Sequence, residues 1–214
     1  MKLIDLTHTL SPDMPVYPGT APPVFKRSGT LEADGFAEKE HTFSSHNGTH
    51  IDAPAHLLAG APTLDQLPID HFGGEAFLLK VDQGLIDVQS LQSHEESIKR
   101  ADFLILETGW SRYWGTDRYF DKFPVLTPEA ARWLTGRGLK GVGVDAISVD
   151  PMDTRDYAVH KTLLSDNILL VENLTNLAAI ETLSFQFFCL PLRIEQADGS
   201  PVRAVGYLTN SNEI

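Results

Sequence analysis

The sequence predicts an α/β domain built on a mixed, largely antiparallel sheet. Apolar runs of strand length outnumber the segments that have a helical pattern. One well-signalled helix is expected at residues 128–134. Near the C-terminus the turn sequence ADGSP, at residues 197–201, separates two apolar runs, and a tight turn of this kind joins antiparallel strands.

The first half of the chain contains mainly short apolar runs. Prolines between residues 11 and 19 exclude a helix there, because proline restricts both itself and the residue before it. Residues 88–99 are polar, with a weak helical pattern. The predicted strands of this half are residues 4–10, 36–45, 77–81 and 103–106.

The second half contains the predicted helix and the C-terminal strands. Thr127 can cap the helix, Pro128 suits its first position, and Gly136 ends it. The sequence shows no internal repeat or linker, so residues 1–214 are expected to form a single domain. The predicted strands are residues 142–144, 168–171, 185–194 as the longest, and 202–208 as its hairpin partner.

Composition excludes several functional classes. The 214 residues are 42% hydrophobic and 21% charged, as is typical of a globular enzyme, and the net charge of −12 argues against nucleic acid or an anionic membrane surface as a partner. Asp5 interrupts the place where a signal peptide needs apolar residues, and no apolar run is long enough to span a membrane, so a cytoplasmic location is expected. The single cysteine, Cys189, cannot form an internal disulfide and is expected to be a small buried hydrophobe.

The strongest chemical signal is the segment HNGTHIDAPAH at residues 46–56. It places three imidazoles and one carboxylate within eleven residues, with a glycine and a proline between them. Imidazole and carboxylate are ligands that suit zinc and related divalent metals. Gly48 and the β-branched residues beside it make a helix unlikely, so a turn after a strand is expected to bring His46 and His50 together.

A simpler explanation exists for each residue alone. A single histidine in a loop is usually solvated, and two histidines four residues apart are frequent by chance. The full pattern around glycine and proline is long enough to favour a metal site over an accidental cluster.

The segment resembles the signature of the cyclase-type metal-dependent hydrolases, which include bacterial kynurenine formamidases (arylformamidases) and isatin hydrolases. The resemblance covers nearly the whole chain. Its other motifs are IDLTHTL at 4–10, YPG at 17–19, GVDAISVDPMD at 143–153, HK at 160–161, ENLTNL at 172–177 and ADGSPVRAV at 197–205. It implies a swivelling β/β/α cyclase-like fold that assembles as a homodimer or homotetramer.

The resemblance also implies two divalent metal ions, with zinc favoured and manganese as the alternative. His46, His50 and Asp52 would hold one ion. Asp52 and Glu172 would bridge to the second, and His160 would complete it. In the isatin-hydrolase branch an amide replaces the carboxylate at the position of Glu172, so a carboxylate here favours two metals. Without the resemblance, Glu172 would be interpreted as an exposed carboxylate at a strand end.

By the same resemblance His56 would stay off the metals and carry protons. An unperturbed imidazole pKa of about 6.5 suits that role. The alternative is that His56 is the third ligand of a mononuclear site. Tyr17 occupies a position where kynurenine formamidases commonly have a tryptophan that contacts the aromatic substrate, and a tyrosine could also stack there.

Other candidates are weaker. The run GRGLKG at 136–141 matches a dinucleotide-binding pattern but follows a helix and precedes a strand, the reverse of the required order. His8 is expected to be structural, although it could reach the site. Core packing is the favoured role of three further aromatic residues, Phe36, Trp110 and Trp114.

The sequence therefore predicts a binuclear metal-dependent amide hydrolase, with N-formyl-L-kynurenine as the best single substrate. Two alternatives stay open. One is the same chemistry on a cyclic amide, a carbamate or a lactone; the other is a metal-binding protein without catalytic activity.

Overall fold

A nine-stranded mixed sheet runs through the computed structural model, which describes residues 2–81 and 84–208. Met1, residues 82–83 and residues 209–214 of the predicted single domain lie outside the described residues. The described strands are β1 (Lys2–Asp5), β2 (Val24–Gly29), β3 (Glu38–Thr42), β4 (His50–Asp52), β5 (Gly73–Lys80), β6 (Leu85–Ile86), β7 (Phe103–Glu107), β8 (Val125–Leu126), β9 (Gly141–Val144), β10 (Leu169–Glu172), β11 (Ser184–Phe188), β12 (Gly199–Pro201) and β13 (Val205–Leu208).

The strands of the large sheet follow the order β1-β13-β11-β5-β7-β9-β10-β4-β12. The neighbours β5, β7, β9 and β10 pair in parallel, and the other five pairings are antiparallel. The predicted α/β class and the mixed, largely antiparallel sheet are confirmed. The short strands β2 and β3 pair with each other apart from this sheet, as do β6 and β8.

The central strands are buried on both faces. Phe77 and Leu79 of β5 belong to the apolar core on one face, and Leu78 belongs to the core on the other. Strands covered on both sides read as continuous apolar runs, which is why β5 and β7 were predictable from the sequence. The first of these cores also contains the buried side chains of α4 (Pro128–Leu134) and α5 (Ala158–Ser165).

The predicted helix 128–134 is confirmed as α4. The Thr127 hydroxyl accepts a hydrogen bond from the backbone N–H of Ala130 at 3.1 Å, as expected of an N-cap. The weak helical pattern at residues 88–99 corresponds to two short helices. The remaining helices are α1 (Leu31–Asp34), α2 (Val88–Gln92) and α3 (Glu95–Ile98).

The prediction of the longest strand at residues 185–194 is wrong. β11 ends at Phe188, and β5 is longer, with eight residues. Pro191 lies in the predicted extension, and proline has no N–H to donate to a ladder. Among the described residues, the predicted extension at 189–194 pairs with the rest of the chain through one isolated bridge, between Pro191 and Val202.

The prediction of a tight C-terminal hairpin is also wrong. β13 does lie beside β11 and antiparallel to it, but the sequence ADGSP does not form the turn between them. Residues Gly199–Pro201 are β12, which pairs with β4 at the opposite edge of the sheet. A turn signal reports local preference, and here the pairing with a distant strand overrides it.

Three other predicted strands are also shorter in the structure, and the one predicted at 202–208 begins only at Val205. The strand predicted at 4–10 ends at Asp5. The strand predicted at 36–45 becomes β3, which pairs with β2 outside the large sheet, and the unpredicted strand β4 carries the histidine-rich segment.

Among the described residues, no helix combines the length and the apolar character needed to cross a bilayer.

Candidate active site

Strand β4 places two of the predicted metal ligands on one face. Side chains alternate along a strand, so His50 and Asp52 point to the same side, while Ile51 points into the core and is fully buried. The turn before β4 requires Gly48, which has a φ of +66°. A Cβ atom at Gly48 would also lie 2.5 Å from Cδ2 of Leu10, so a substitution there would force the Leu10 side chain to move.

Strand β10 brings Glu172 to the same place. It pairs antiparallel with β4, and Glu172 lies directly opposite His50 in the register. Opposite residues in such a pair project to the same face at close range. A pairing between segments far apart in the chain therefore joins Glu172 to the histidine motif.

Helix α5 supplies His160, which is buried. Asp150 accepts hydrogen bonds from the backbone N–H groups of Val159 and His160, at 3.1 and 2.9 Å, so its carboxylate fixes the start of the helix. Asp150 also accepts a bond from Nδ1 of His160 at 2.7 Å. The ring is thereby oriented with Nε2 toward Glu172.

Along the chain, His46 precedes β4 and His56 follows it. His46 belongs to the turn before the strand, and His56 ends a 3₁₀ turn, Pro54–His56, that follows it. The centroids of their rings are 3.9 Å apart. This 3₁₀ turn, which opens at Pro54, brings His56 back toward the strand.

Asp52 is the centre of the cluster. Its Oδ1 lies 2.7 Å from Nδ1 of His46 and 3.3 Å from Nε2 of His50, and its Oδ2 lies 3.7 Å from Nε2 of His160. Glu172 is almost as close, with Oε2 3.5 Å from Nε2 of His50 and Oε1 3.2 Å from Nε2 of His160. The structure thus brings together all five predicted metal ligands.

The charges in this cluster depend on one another. Burial alone would raise the pKa of Asp52, but His46 and His50 hold it well below its ordinary value. Burial works against protonation of His46, yet Asp52 and Asp198 outweigh that effect and raise its pKa to about 9. Burial likewise opposes a charge on His160, but Asp150 and Glu172 raise its pKa to about 10. The carboxylates therefore favour positive charge between them.

His56 differs from the other histidines. Burial lowers the pKa of His56 below its ordinary value. The attraction to Asp52 acts in the opposite direction, but the positive charges of His46 and His160 offset part of it. Its imidazole is thus held in the neutral form that can accept a proton.

The outer hydrogen bonds of three histidines fit a metal site. His50 donates from Nδ1 to the carbonyl of Gly48 at 2.8 Å, and His160 donates from Nδ1 to Asp150. Nε2 of His46 lies 2.9 Å from Oδ2 of Asp198. Metal-binding histidines usually have such outer partners, which fix the ring and leave the other nitrogen for the ion. In each case that other nitrogen faces Asp52 or Glu172.

Distances alone group the donors into two sets that share Asp52. The ligand atoms of His46, Asp52 and His56 lie within 4.8 Å of one another, and so do those of His50, Asp52 and Glu172. His56 is therefore near enough to be a ligand. Its distance from the cluster does not decide between metal binding and proton transfer, so its outer hydrogen-bond contacts have to be compared.

The cluster opens into a cavity of about 240 Å³. Tyr17 lies in its wall, as does Tyr157, which the sequence did not suggest. Burial and a hydrogen bond with Tyr157 raise the pKa of Tyr17 to about 12, so the Tyr17 phenol stays a neutral donor at ordinary pH. Leu57 and Ile147 add apolar surface to the wall. The cavity can hold a small molecule with its polar end on the cluster.

Two acidic residues in the site were missed as functional candidates. Asp150 lies in the motif GVDAISVDPMD, and Asp198 lies in the predicted turn ADGSP. Both sequences belong to motifs that carried the family resemblance, so that resemblance was the available signal. Spacing could not indicate that either residue contacts a histidine.

The weaker candidates lie elsewhere. His8 stacks on Trp114, with the ring centroids 3.9 Å apart, so its structural role is supported. Trp110 is buried and donates from Nε1 to the carbonyl of Tyr119. Phe36 does not pack in the core as predicted: it is 54% exposed, on the segment between β2 and β3. Among the described residues, none of these four lines the cavity.

The motif resemblance is matched by a direct comparison with known families. The family model described as "Putative cyclase" matches residues 4–151, which is more than half of the chain. The chain belongs to this cyclase family. A relative from Bacillus cytotoxicus named kynurenine formamidase is 34% identical over 205 residues, covering 94% of this chain and 95% of the relative.

Solved structures of cyclase-type proteins share the fold. Isatin hydrolase A from Ralstonia solanacearum is 26% identical, with a TM-score of 0.85 over 96% of this chain and 91% of that one. A protein titled "potential metal-dependent hydrolase with cyclase activity" is 27% identical, with a TM-score of 0.79 over 96% of both chains. Together with the histidine and carboxylate cluster, these similarities identify this cyclase-family protein as a metal-dependent hydrolase.

Proposed function

We propose that this protein is an arylformamidase that hydrolyses N-formyl-L-kynurenine to L-kynurenine and formate, a step of tryptophan catabolism. The observation that carries the proposal is the whole-length similarity to a relative named kynurenine formamidase, combined with the largely buried cluster of His46, His50, Asp52, His160 and Glu172. In the reaction one water adds across the amide. Its oxygen joins the carbonyl carbon as formate, and the nitrogen leaves as a free aniline.

Two divalent ions are proposed at the cluster. His46, His50 and Asp52 would hold one ion, and His160 and Glu172 would hold the other, with Asp52 and Glu172 shared. When bound, the ions would polarise the carbonyl and lower the pKa of bound water. Zinc is favoured, with manganese as the alternative, because imidazole and carboxylate ligands accommodate both.

His56 is proposed as the group that moves the proton. Its outer contact supports this role over ligation: Nδ1 lies 3.5 Å from Oδ2 of Asp198, whereas the three proposed ligands make outer contacts of 2.7 to 2.9 Å. Held neutral by burial, His56 can accept a proton from water and pass it to the departing nitrogen.

Tyr17 is proposed to bind the substrate. It lies in the cavity wall, where its ring can stack on an arene and its hydroxyl can donate to a carbonyl or carboxylate.

A cyclic amide such as isatin is the second candidate substrate. It is supported by the structural similarity to isatin hydrolase A. The chemistry and the roles of the residues would be the same, since an amide bond is again cleaved by water.

Turnover assays separate the two substrates. Protein loaded with Zn²⁺, and in parallel with Mn²⁺, would be incubated with N-formyl-L-kynurenine and with isatin. We expect N-formyl-L-kynurenine to be hydrolysed with a higher kcat/KM than isatin, as measured by the absorbance of the aniline product. Faster turnover of isatin would favour the second candidate, and no turnover of either substrate by protein shown to be metal-loaded would reject both.

A further inference from the structure

Two residues at the start of the edge strand β12, Asp198 and Gly199, lie against His46. Neither has a role in the function proposed above. Gly199 lies opposite Asp52 in the pairing of β12 with β4. The backbone carbonyl of Asp198 accepts a hydrogen bond from the N–H of Ala53 at 2.9 Å, which extends the contact by one residue. The segment ADGSP is therefore fixed along the strand that carries the central carboxylate.

The side chain of Asp198 contacts the outer nitrogen of His46. The two carboxylates hold the ring from opposite sides: Oδ1 of Asp52 lies 2.7 Å from Nδ1, and Oδ2 of Asp198 lies 2.9 Å from Nε2. If Nε2 carries the proton and donates it to Asp198, Nδ1 keeps its lone pair toward the centre of the cluster. This is the protonation pattern that metal binding through Nδ1 requires.

Gly199 provides the space for the same ring. A Cβ atom at this position would lie 2.5 Å from Cε1 and 2.9 Å from Nε2 of His46. Its φ lies outside the left-handed region, so backbone conformation does not account for glycine here. The close approach of the imidazole does.

Asp198 is the most accessible of the three outer partners. The carbonyl of Gly48 and the carboxylate of Asp150 are buried with the rings they bind, whereas the Asp198 side chain is 47% exposed. The same Oδ2 atom lies 3.5 Å from Nδ1 of His56. One carboxylate thus faces both a proposed metal ligand and the proposed proton carrier.

We propose that Asp198 is a positioning residue that fixes the ring orientation and tautomer of His46 for metal binding, and that Gly199 is required because the ring occupies its side-chain space. This inference rests on the metal binding proposed above. It assigns a function to a segment that the sequence suggested was only a turn.

Metal affinity, measured without substrate, tests the assignment. Zn²⁺ binding would be followed by competition with a chromophoric chelator for the wild type and for Asp198→Ala, Asp198→Asn and Gly199→Ala. We expect Asp198→Ala to weaken binding by about 10- to 100-fold, the usual cost of losing an outer partner. Asp198→Asn should lose less, because an amide oxygen can still accept the bond from Nε2. Gly199→Ala should weaken binding although Asp198 is intact.

Glu195→Gln is the matched control. It removes one negative charge from the same exposed segment and should bind Zn²⁺ as the wild type does. Circular dichroism of each variant would show that the fold is retained.

Two results would overturn the inference. Unchanged Zn²⁺ affinity in Asp198→Ala would show that the contact does not position His46. Equal losses in the Asn and Ala variants would show that charge or direct ligation matters and not the hydrogen bond. If the wild type itself binds no Zn²⁺ or Mn²⁺, the proposed function fails first, and the two failures are thus distinguishable.

Discussion

At the scale of single residues, the site depends on the difference between otherwise identical imidazoles. His46, His50 and His160 each have a short outer contact that fixes the ring, and each directs the other nitrogen to a shared carboxylate. His56 has no outer contact of that length among the described residues, and its pKa is lowered. These differences support the proposed roles, metal binding at three positions and proton transfer at the fourth.

Replacing His56 tests this division of roles. We expect His56→Ala to lower kcat on N-formyl-L-kynurenine by about 10²- to 10⁴-fold, the usual contribution of a general acid–base group. Metal content, measured by elemental analysis, should stay at the wild-type level. A variant that lost one metal equivalent would instead identify His56 as a ligand, and one that kept full activity would support a protein whose metal is not used for catalysis.

His8 is expected to make the free energy of unfolding depend on pH. Burial against Trp114 lowers its pKa to about 4, and its Nε2 has no hydrogen-bond partner among the described residues. Between pH 6.5 and 4 the unfolded chain takes up a proton at His8 and the folded chain does not, so this residue lowers the free energy of unfolding as the pH falls.

The variant His8→Phe, which can still stack on Trp114, should lack this loss. The difference in unfolding free energy between variant and wild type, from urea titrations at pH 7, 5.5 and 4.5, should grow in favour of the variant as the pH falls. All other titrating groups are common to both proteins. A difference that stays constant with pH would show that folding does not lower the pKa of His8.

At the scale of secondary structure, the site depends on three elements that meet only in the folded chain. Strand β4 supplies His50 and Asp52, β10 supplies Glu172, and α5 supplies His160. Helix α4 packs beside α5 in the same core, so its stability supports the position of His160.

The contribution of the α4 N-cap to the stability of the fold can be tested. We expect Thr127→Ala to lower the free energy of unfolding by about 1 kcal/mol, because the backbone N–H of Ala130 loses its acceptor. Thr127→Ser retains the hydroxyl and should restore most of the stability. Chemical denaturation measures both variants. If the Ala and Ser variants were equally stable, the hydroxyl would not be the source of the effect.

At the scale of the whole molecule, the sequence predicted what depends on neighbouring residues. The helix at 128–134 was predictable because Thr127 and Pro128 are local start signals. The core strands β5 and β7 were predictable because burial on both faces leaves a continuous apolar run. The density of histidine and carboxylate side chains at residues 46–56 indicated the candidate metal site directly.

Features that depend on distant pairing were not predictable from local pattern. The sequence ADGSP has turn chemistry, yet its last three residues form β12 because they pair with the edge of β4. Helix α5 begins after Tyr157, which has a left-handed backbone conformation and whose side chain makes no capping hydrogen bond. The sequence at this point therefore lacks the usual signal for the start of a helix. Glu172 and His160 were nominated through family resemblance, since no local pattern shows that β10 pairs with β4.

Anomalous diffraction at the zinc edge, from crystals of zinc-loaded protein, would test most directly whether two cations are held jointly by distant parts of the chain. We predict two anomalous peaks per chain, both adjacent to the carboxylates of Asp52 and Glu172, with His160 beside one of them. A single peak, or peaks that leave Glu172 and His160 uninvolved, would contradict a binuclear site.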